Sequence, residues 1–503
     1  HSQIAPAFEA VYTGQLKIAR GGKYTLLGAG RIVVGGKEIG GQEVMLAPGT
    51  HALKISVKRQ PGPARFQLRW KSDFFIEEPV PNSAFESGEG NDALAGKWAQ
   101  IEHGRELYES LSCGACHGND GWNLTPRRGP ALEGVGSRLN EDWLRGWLKA
   151  PHRGMPQLLA NDGEVADVAA FLKGLSADET AAKSTANPQR IESGREIFNR
   201  IGCVQCHTEK AHSLAHVGTK YRSSQALAAY LLDPLAVDPS GRMPRMFDPK
   251  SQSHEAALVA EFLFHTQRAE TLKGPGGGDA AKGRRLVSSR GCVSCHSAKE
   301  NGQPILNGLK APRFAEEFDA AKGCLAEAPK GAKYSLGAVD RAALRAFLQS
   351  MTEQPVVAKA PVEKFHRQLK QLNCASCHEA ARAGLASDGI VAVERPPSLA
   401  GAGDKLRVEW IRRVLTEGKR TRPWLKLRMP DFGGAVAHLP EMFPAASGSL
   451  LKDTTPKPEL ELAKKGIASI SLCVTCHDYG GVNRLAESVV PAPDLAEVGQ
   501  TLR

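Results

Sequence analysis

Two cysteines three positions apart, with a histidine directly after them, occur five times along the chain. They are Cys113-Gly-Ala-Cys116-His117, Cys203-Val-Gln-Cys206-His207, Cys292-Val-Ser-Cys295-His296, Cys374-Ala-Ser-Cys377-His378 and Cys473-Val-Thr-Cys476-His477. Thiols at that spacing share one turn of backbone and can add to the two vinyl groups of a haem, while the next imidazole reaches the iron. A bare C-x-x-C has other uses, as half of a zinc site or as a dithiol redox pair. The histidine decides between them: only 15 of 503 residues are His, yet one follows every pair. The pattern reads as five covalently bound haem c groups, with ten cysteines as attachment points and five histidines as iron ligands.

The elements that must position these motifs repeat with them. Gly104-Arg-Glu-Leu-Tyr, Gly194-Arg-Glu-Ile-Phe and Gly283-Arg-Arg-Leu-Val precede the first three motifs at one common distance, which predicts a helix running into each. Downstream, Val165–Leu172, Ala257–Leu263 and Ala342–Leu348 carry apolar residues at helical spacing and close on Phe-Leu. A linker of Ala, Lys, Ser, Thr and Pro at 177–189, a Gly run at 274–278 and a Pro/Ala/Val stretch at 355–362 separate the intervals. The expectation is one small helical domain per motif, closed by its own first and last helices, over 98–176, 190–270, 279–352, 361–447 and 457–503.

Over nearly all of residues 98–503 these units resemble class I cytochrome c domains. The resemblance implies that first and last helices cross beside the haem, and that a Met, often followed by Pro, comes from a loop ahead of the last helix as sixth ligand. Met155, Met243 and Met429 are each followed by Pro at such places, which puts them opposite His117, His207 and His378, although Met246 lies close to Met243. Thioether ligation raises the potential and closes the iron to substrates. The third unit has no Met between His296 and its last helix but holds Cys324, the one cysteine outside the motifs. Its thiolate would be a strong donor opposite His296; an open or otherwise ligated haem is the main competing reading, beside packing or a bridge to a second copy in an oligomer or filament. After the fifth motif, Pro493-Asp-Leu repeats the frame of Pro130-Ala-Leu and Pro397-Ser-Leu, but the sequence stops at Arg503 where the frame calls for a later Met. The fifth domain is therefore expected to be incomplete, its ligand coming from a longer natural chain, a second chain, His438 or Met442.

Residues 1–85 differ in kind. Short alternating segments at 23–27, 31–34, 43–46, 51–57 and 64–70 are separated by Gly-Gly, Pro-Gly and Gly-Lys, the pattern of an antiparallel β-sandwich. The run from Tyr12 to Trp70 resembles the protective-antigen-type sandwich, a module that in some proteins binds carbohydrate. Leu27-Gly-Ala-Gly30 and Val34-Gly-Gly36 stand where calcium-dependent members carry Asp, so the resemblance implies scaffolding or docking to protein or glycan more than calcium-held sugar.

The formal charge of +11 and pI near 9.1 would suit nucleic acid or an acidic membrane. The propionates of five haems would add about ten negative charges, and Lys and Arg are scattered rather than striped, which excludes a nucleic-acid footprint. No run of eighteen apolar residues offers a membrane span. What is known of c-type cytochromes implies a periplasmic or extracellular protein. There is no Gly-rich dinucleotide loop, nucleophile elbow or zincin helix. The leading expectation is a mainly α, multidomain electron carrier with redox-protein partners. The alternative is a haem enzyme, peroxidase-like or reducing sulfur or nitrogen oxyanions at a haem without Met in the third or fifth domain.

Overall fold

Alternation of apolar and polar residues through the first 86 positions builds two antiparallel sheets. The computed structural model describes residues 8–59, 66–81, 84–86, 93–118, 124, 127–152, 154–176, 185–209, 212–311, 322–327, 329, 331–353, 361–378, 396–397, 399, 401–418, 426–447, 477–478, 494–495 and 501–502. The strands are β1 (Phe8–Ile18), β2 (Gly22–Leu27), β3 (Arg31–Val34), β4 (Lys37–Glu38), β5 (Glu43–Leu46), β6 (Gly49–Arg59), β7 (Arg69–Ser72), β8 (Phe75–Pro79) and β9 (Phe85–Glu86). One sheet has the order β4-β3-β6-β1-β9 and the other β5-β2-β7-β8. Leu16, Ile18, Ile32, Val34, Leu53 and Ile55 from the first share a core with Tyr24, Leu26, Leu46 and Trp70 from the second. Strands β4, β8 and β9 lie outside the segments expected from the sequence, and so does the long strand β1, paired with β6 from Phe8↔Arg59 to Ile18↔Gly49. Thr13-Gly14-Gln15 interrupts its apolar alternation and conceals it.

The rest is mainly helical: α1 (Ala93–Ser110), α2 (Glu141–Lys149), α3 (Asp162–Gly174), α4 (Pro188–Arg200), α5 (Ser224–Leu232), α6 (Ser253–Thr266), α7 (Ala280–Ser289), α8 (Ala338–Glu353), α9 (Pro361–Gln371), α10 (Val408–Thr416) and α11 (Met442–Ser447), with shorter turns between. Local chemistry starts several of them. The side chains of Asn140, Asn161, Asn187, Ser223 and Asp279 accept backbone N–H groups of the first turns of α2, α3, α4, α5 and α7. Pro188 occupies the first turn of α4, where its missing N–H costs nothing.

The chain forms two compact units: His1–Leu94 with Ala360–Arg413 and His438–Arg503, and Ala95–Lys359 with Val414–Ala437. In the first, Phe365 of α9 packs edge-on against Phe443 of α11, centroids 4.7 Å apart. Within the same unit the Gln67 amide donates to the Ser447 carbonyl at 2.6 Å, which ties the sheets to the helices of the fourth interval.

In the second unit helices cross at glycines. A Cβ added to Gly194 of α4 would lie 2.1 Å from the Leu258 carbonyl oxygen of α6 and 2.9 Å from the Phe262 Cβ. The same contact recurs twice, with the partners exchanged. Gly104 of α1 meets Ala343 and Phe347 of α8, at 2.0 and 2.7 Å, and Gly283 of α7 meets Asp167 and Phe171 of α3, at 2.0 and 2.8 Å. This differs from the expectation that the first and last helices of every interval cross each other. In the second interval they do; in the first and third, each first helix lies on the other interval's last helix. The three last helices present one common edge, a carbonyl followed four residues later by the Phe of Phe-Leu, so helical periodicity cannot choose between them. The choice is made by other contacts. His103 Nε2 meets Asp340 Oδ1 at 2.9 Å, the backbone N–H of Asp279 donates to Asp167 Oδ1 at 2.7 Å, and Arg290 pairs with Glu164.

Gly194→Ala is expected to destabilise the second interval by about 1–3 kcal/mol, the usual cost of overpacking, and to lower the thermal unfolding midpoint. Gly96→Ala, where an added Cβ meets nothing within 4 Å, serves as control. It should be neutral or gain up to about 1 kcal/mol from helix propensity.

Candidate haem centres

Each described motif follows a helix and one reversed residue. Ser112, Gly202, Gly291 and Asn373 sit directly before the first cysteine with φ of 58°, 93°, 77° and 57°. That left-handed step turns the chain back, so both thiols come onto one short turn beside the helix end. The turn is held by the histidine's own backbone: the N–H groups of His207, His296 and His378 donate to the carbonyls of Cys203, Cys292 and Cys374 at 3.0, 3.0 and 2.9 Å. Cys113, Cys116, Cys203, Cys206, Cys292, Cys295, Cys374 and Cys377 are all half-buried. Cys473 and Cys476 lie outside the described residues, and of the fifth motif only His477 is described.

Three of the motif imidazoles share one orientation. Nδ1 of His207 contacts the His212 carbonyl at 2.8 Å, that of His296 the Pro130 carbonyl at 2.7 Å, and that of His378 the Pro397 carbonyl at 2.8 Å. A carbonyl only accepts, so in each ring Nδ1 carries the proton and Nε2 keeps its lone pair. Burial holds the His296 imidazole below the ordinary histidine range, against the opposing pull of the Pro130 carbonyl, and favours the neutral form that binds metal. Burial also pushes the thiols up, Cys113 and Cys203 to about 12 and Cys292 and Cys295 to about 11. Paired thiols and a neutral imidazole form the donor set that haem c requires, and these residues fit it.

The sulfur-bearing loops meet in pairs. Gln157, two residues after Met155, forms an antiparallel bridge with Lys333, with N–H···O distances of 2.8 and 3.0 Å. Arg245, two after Met243, forms the same bridge with Asp431, two after Met429, at 2.8 and 2.9 Å. The residue of the third interval that corresponds to Met is thus Gly331. Cys324 Sγ lies 4.0 Å from where a Gly331 side chain would begin, so the thiol occupies the space beside the missing Met. Sequence reasoning missed these pairings; the shared offset after each Met-Pro was the available signal.

Met155 is half-buried, and the Trp147 indole N–H donates to its Sδ at 3.1 Å. Met243 and Met246 both pack against the core that includes Ile197, Ile201 and Cys203. Met429 is 36% exposed, on a stretch pinned to the second interval. Arg428 there donates to Gln252 and Glu255, each at 3.0 Å. Arg245 bridges Asp233 at 2.7 Å and Asp431 at 2.6 Å; burial opposes its charge, and the two carboxylates outweigh burial and raise its pKa. His438 stands near Lys364 and Glu441, with burial the main influence that lowers its pKa, and Met442 begins α11.

Residues 99–172 and 360–441 match the sequence model of the family described as cytochrome C oxidase, cbb3-type, subunit III. The Cbb3-type cytochrome c oxidase subunit CcoP of Helicobacter pylori is 26% identical over 179 residues, 31% of this chain and 56% of that protein. Cytochrome c-551 of Bacillus subtilis (strain 168) is 36% identical over 74 residues, 15% of this chain and 62% of that protein. The chain therefore spans little more than half the length of these curated relatives. The matches support a c-type cytochrome with more than one cytochrome c domain and with haem c as cofactor. Among the described residues no helix is long and apolar enough to cross a membrane.

Arg245→Ala would leave Asp233 and Asp431 without their shared cation and loosen the paired loops. The expected loss is about 1–3 kcal/mol, the scale for charged hydrogen bonds that lose one partner. The thioether-to-iron charge-transfer absorption should weaken in the same variant, and Arg245→Lys, which cannot fork between two carboxylates, should recover only part of it.

Proposed function

We propose that the chain carries electrons between redox proteins in the periplasm or outside the cell through five covalently attached c-type haems. The observation that carries this reading is the shared orientation of three of the five motif imidazoles, those of His207, His296 and His378, each with Nδ1–H directed at a backbone carbonyl. When bound, haem c supplies one-electron chemistry at its iron. The chain's residues attach it, hold the imidazoles in one tautomer and offer sulfur from the opposite side.

Met243 and Met429 are assigned opposite His207 and His378. Met155 and Cys324 are the sulfur donors for the first and third motifs. A thioether ligand holds the iron low-spin and keeps small substrates off it, which suits a carrier. The five domains 98–176, 190–270, 279–352, 361–447 and 457–503 are assigned by motif, one haem each. The N-terminal sheets, 1–85, are assigned a docking role toward protein or glycan, since their core is built from packing residues and carries no haem motif.

Denaturing mass spectrometry of the protein exported with its haems should show five haem additions, and a redox titration should take up five electrons per chain. Fewer additions, or zinc in place of haem, would overturn the reading. Steady-state turnover of peroxide, nitrite or sulfite by the reduced protein would replace it with the enzyme alternative.

A further inference from the structure

The first and third haem motifs are each completed by residues of the other's interval. Around His296, the Pro130 carbonyl accepts from Nδ1, the Gly129 N–H donates to the Cys295 carbonyl at 2.8 Å, and the Leu132 N–H donates to the Ser297 carbonyl at 2.9 Å. Gly129 lies so close that an added Cβ would stand 2.4 Å from His296 Cε1. The fourth interval shows what this contact normally is: His378 uses Pro397 of its own interval, and Pro397 opens the same Pro-x-Leu frame as Pro130. Beyond the ring, Met155 packs in one core with Val287, Cys292, Val293 and Ile305.

The complementary half is equally plain. Cys113 packs in a core with Tyr108, Leu325, Leu336, Leu344 and Phe347, and the Tyr334 hydroxyl donates to the Leu111 carbonyl at 3.1 Å.

We propose that residues 128–152 and 154–176 close the haem site at His296 and residues 322–327 and 331–353 close the site at His117, so that Met155 would be the sulfur donor to a haem held by His296. The proposal rests on the haem c reading above and replaces the in-order assignment of Met155 to His117. Cys324 then belongs to the His117 site. The exchange is open to this chain because the helix crossings at Gly104 and Gly283 share one register, and both halves are tethered at high effective concentration. It makes the first and third intervals one folding unit instead of two separable beads.

The test uses the full-length haem-loaded protein in two backgrounds, Cys113→Ala/Cys116→Ala and Cys292→Ala/Cys295→Ala, which remove attachment at one motif each. Met155→Ala is added to the parent and to both. The expected result is loss of one thioether charge-transfer component in the parent and in the background lacking the first attachment, and no further change in the background lacking the third. The reverse pattern overturns the proposal, as does an unchanged spectrum in all three. Should a background fail to accumulate, Gly129→Ala in the otherwise intact protein reads the same question. It should shift the electron-paramagnetic-resonance signal of a His/Met haem that Met155→Ala also abolishes. A shift in a different haem, or in none, refutes the exchange. Haem counts by mass in the same samples keep a failure of this proposal distinct from a failure of the five-haem reading.

Discussion

The constraint on which the helical part depends is the close approach of two backbones at a glycine. With a hydrogen in place of a side chain, Gly104, Gly194 and Gly283 let one helix come within about a carbonyl's contact distance of another, and the Phe four residues on covers the gap. The geometry of the crossing sets where the first helix ends, the helix end sets the left-handed step, and that step aims two thiols and an imidazole into one space. In these three intervals the crossing itself is made by backbone and apolar side chains.

Because the crossing is generic, selection among equivalent partners falls to weaker and more local interactions. His103 with Asp340 and Arg290 with Glu164 are partly exposed pairs, each worth a modest fraction of a kcal/mol to about one. Placed at otherwise interchangeable crossings, such pairs act as specificity devices more than as sources of stability. The paired ligand loops serve similarly. Gln157 with Lys333 and Arg245 with Asp431 join two sulfur-bearing segments edge to edge, so the position of one is tied to the next.

The N-terminal sheets and the motifs were legible for different reasons. Strands such as Arg31–Val34 and Glu43–Leu46 show in the sequence because a half-buried strand must alternate, and Leu16 and Ile18 obey that rule at the far end of a strand whose middle does not. The C-x-x-C-H motifs were legible because covalent attachment and iron ligation fix both residue type and spacing, leaving no freedom to vary. Cys324 was visible as an unclaimed thiol, but its place beside Gly331 was not, since the six intervening residues have no sequence period to read.

The sequence by itself determined the local elements: where helices run, where strands alternate, and which thiols and imidazoles stand together on one turn, all of them properties of spacing and side-chain chemistry. Only the tertiary structure decided the partners. That Pro130 serves His296, that α1 lies on α8, and that Met155 stands with Val287 and Cys292 are matters of long-range choice among near-identical surfaces. A repeated sequence encodes such a choice only through the few side chains in which its repeats differ, and no periodicity reports which of several equal faces a helix will meet.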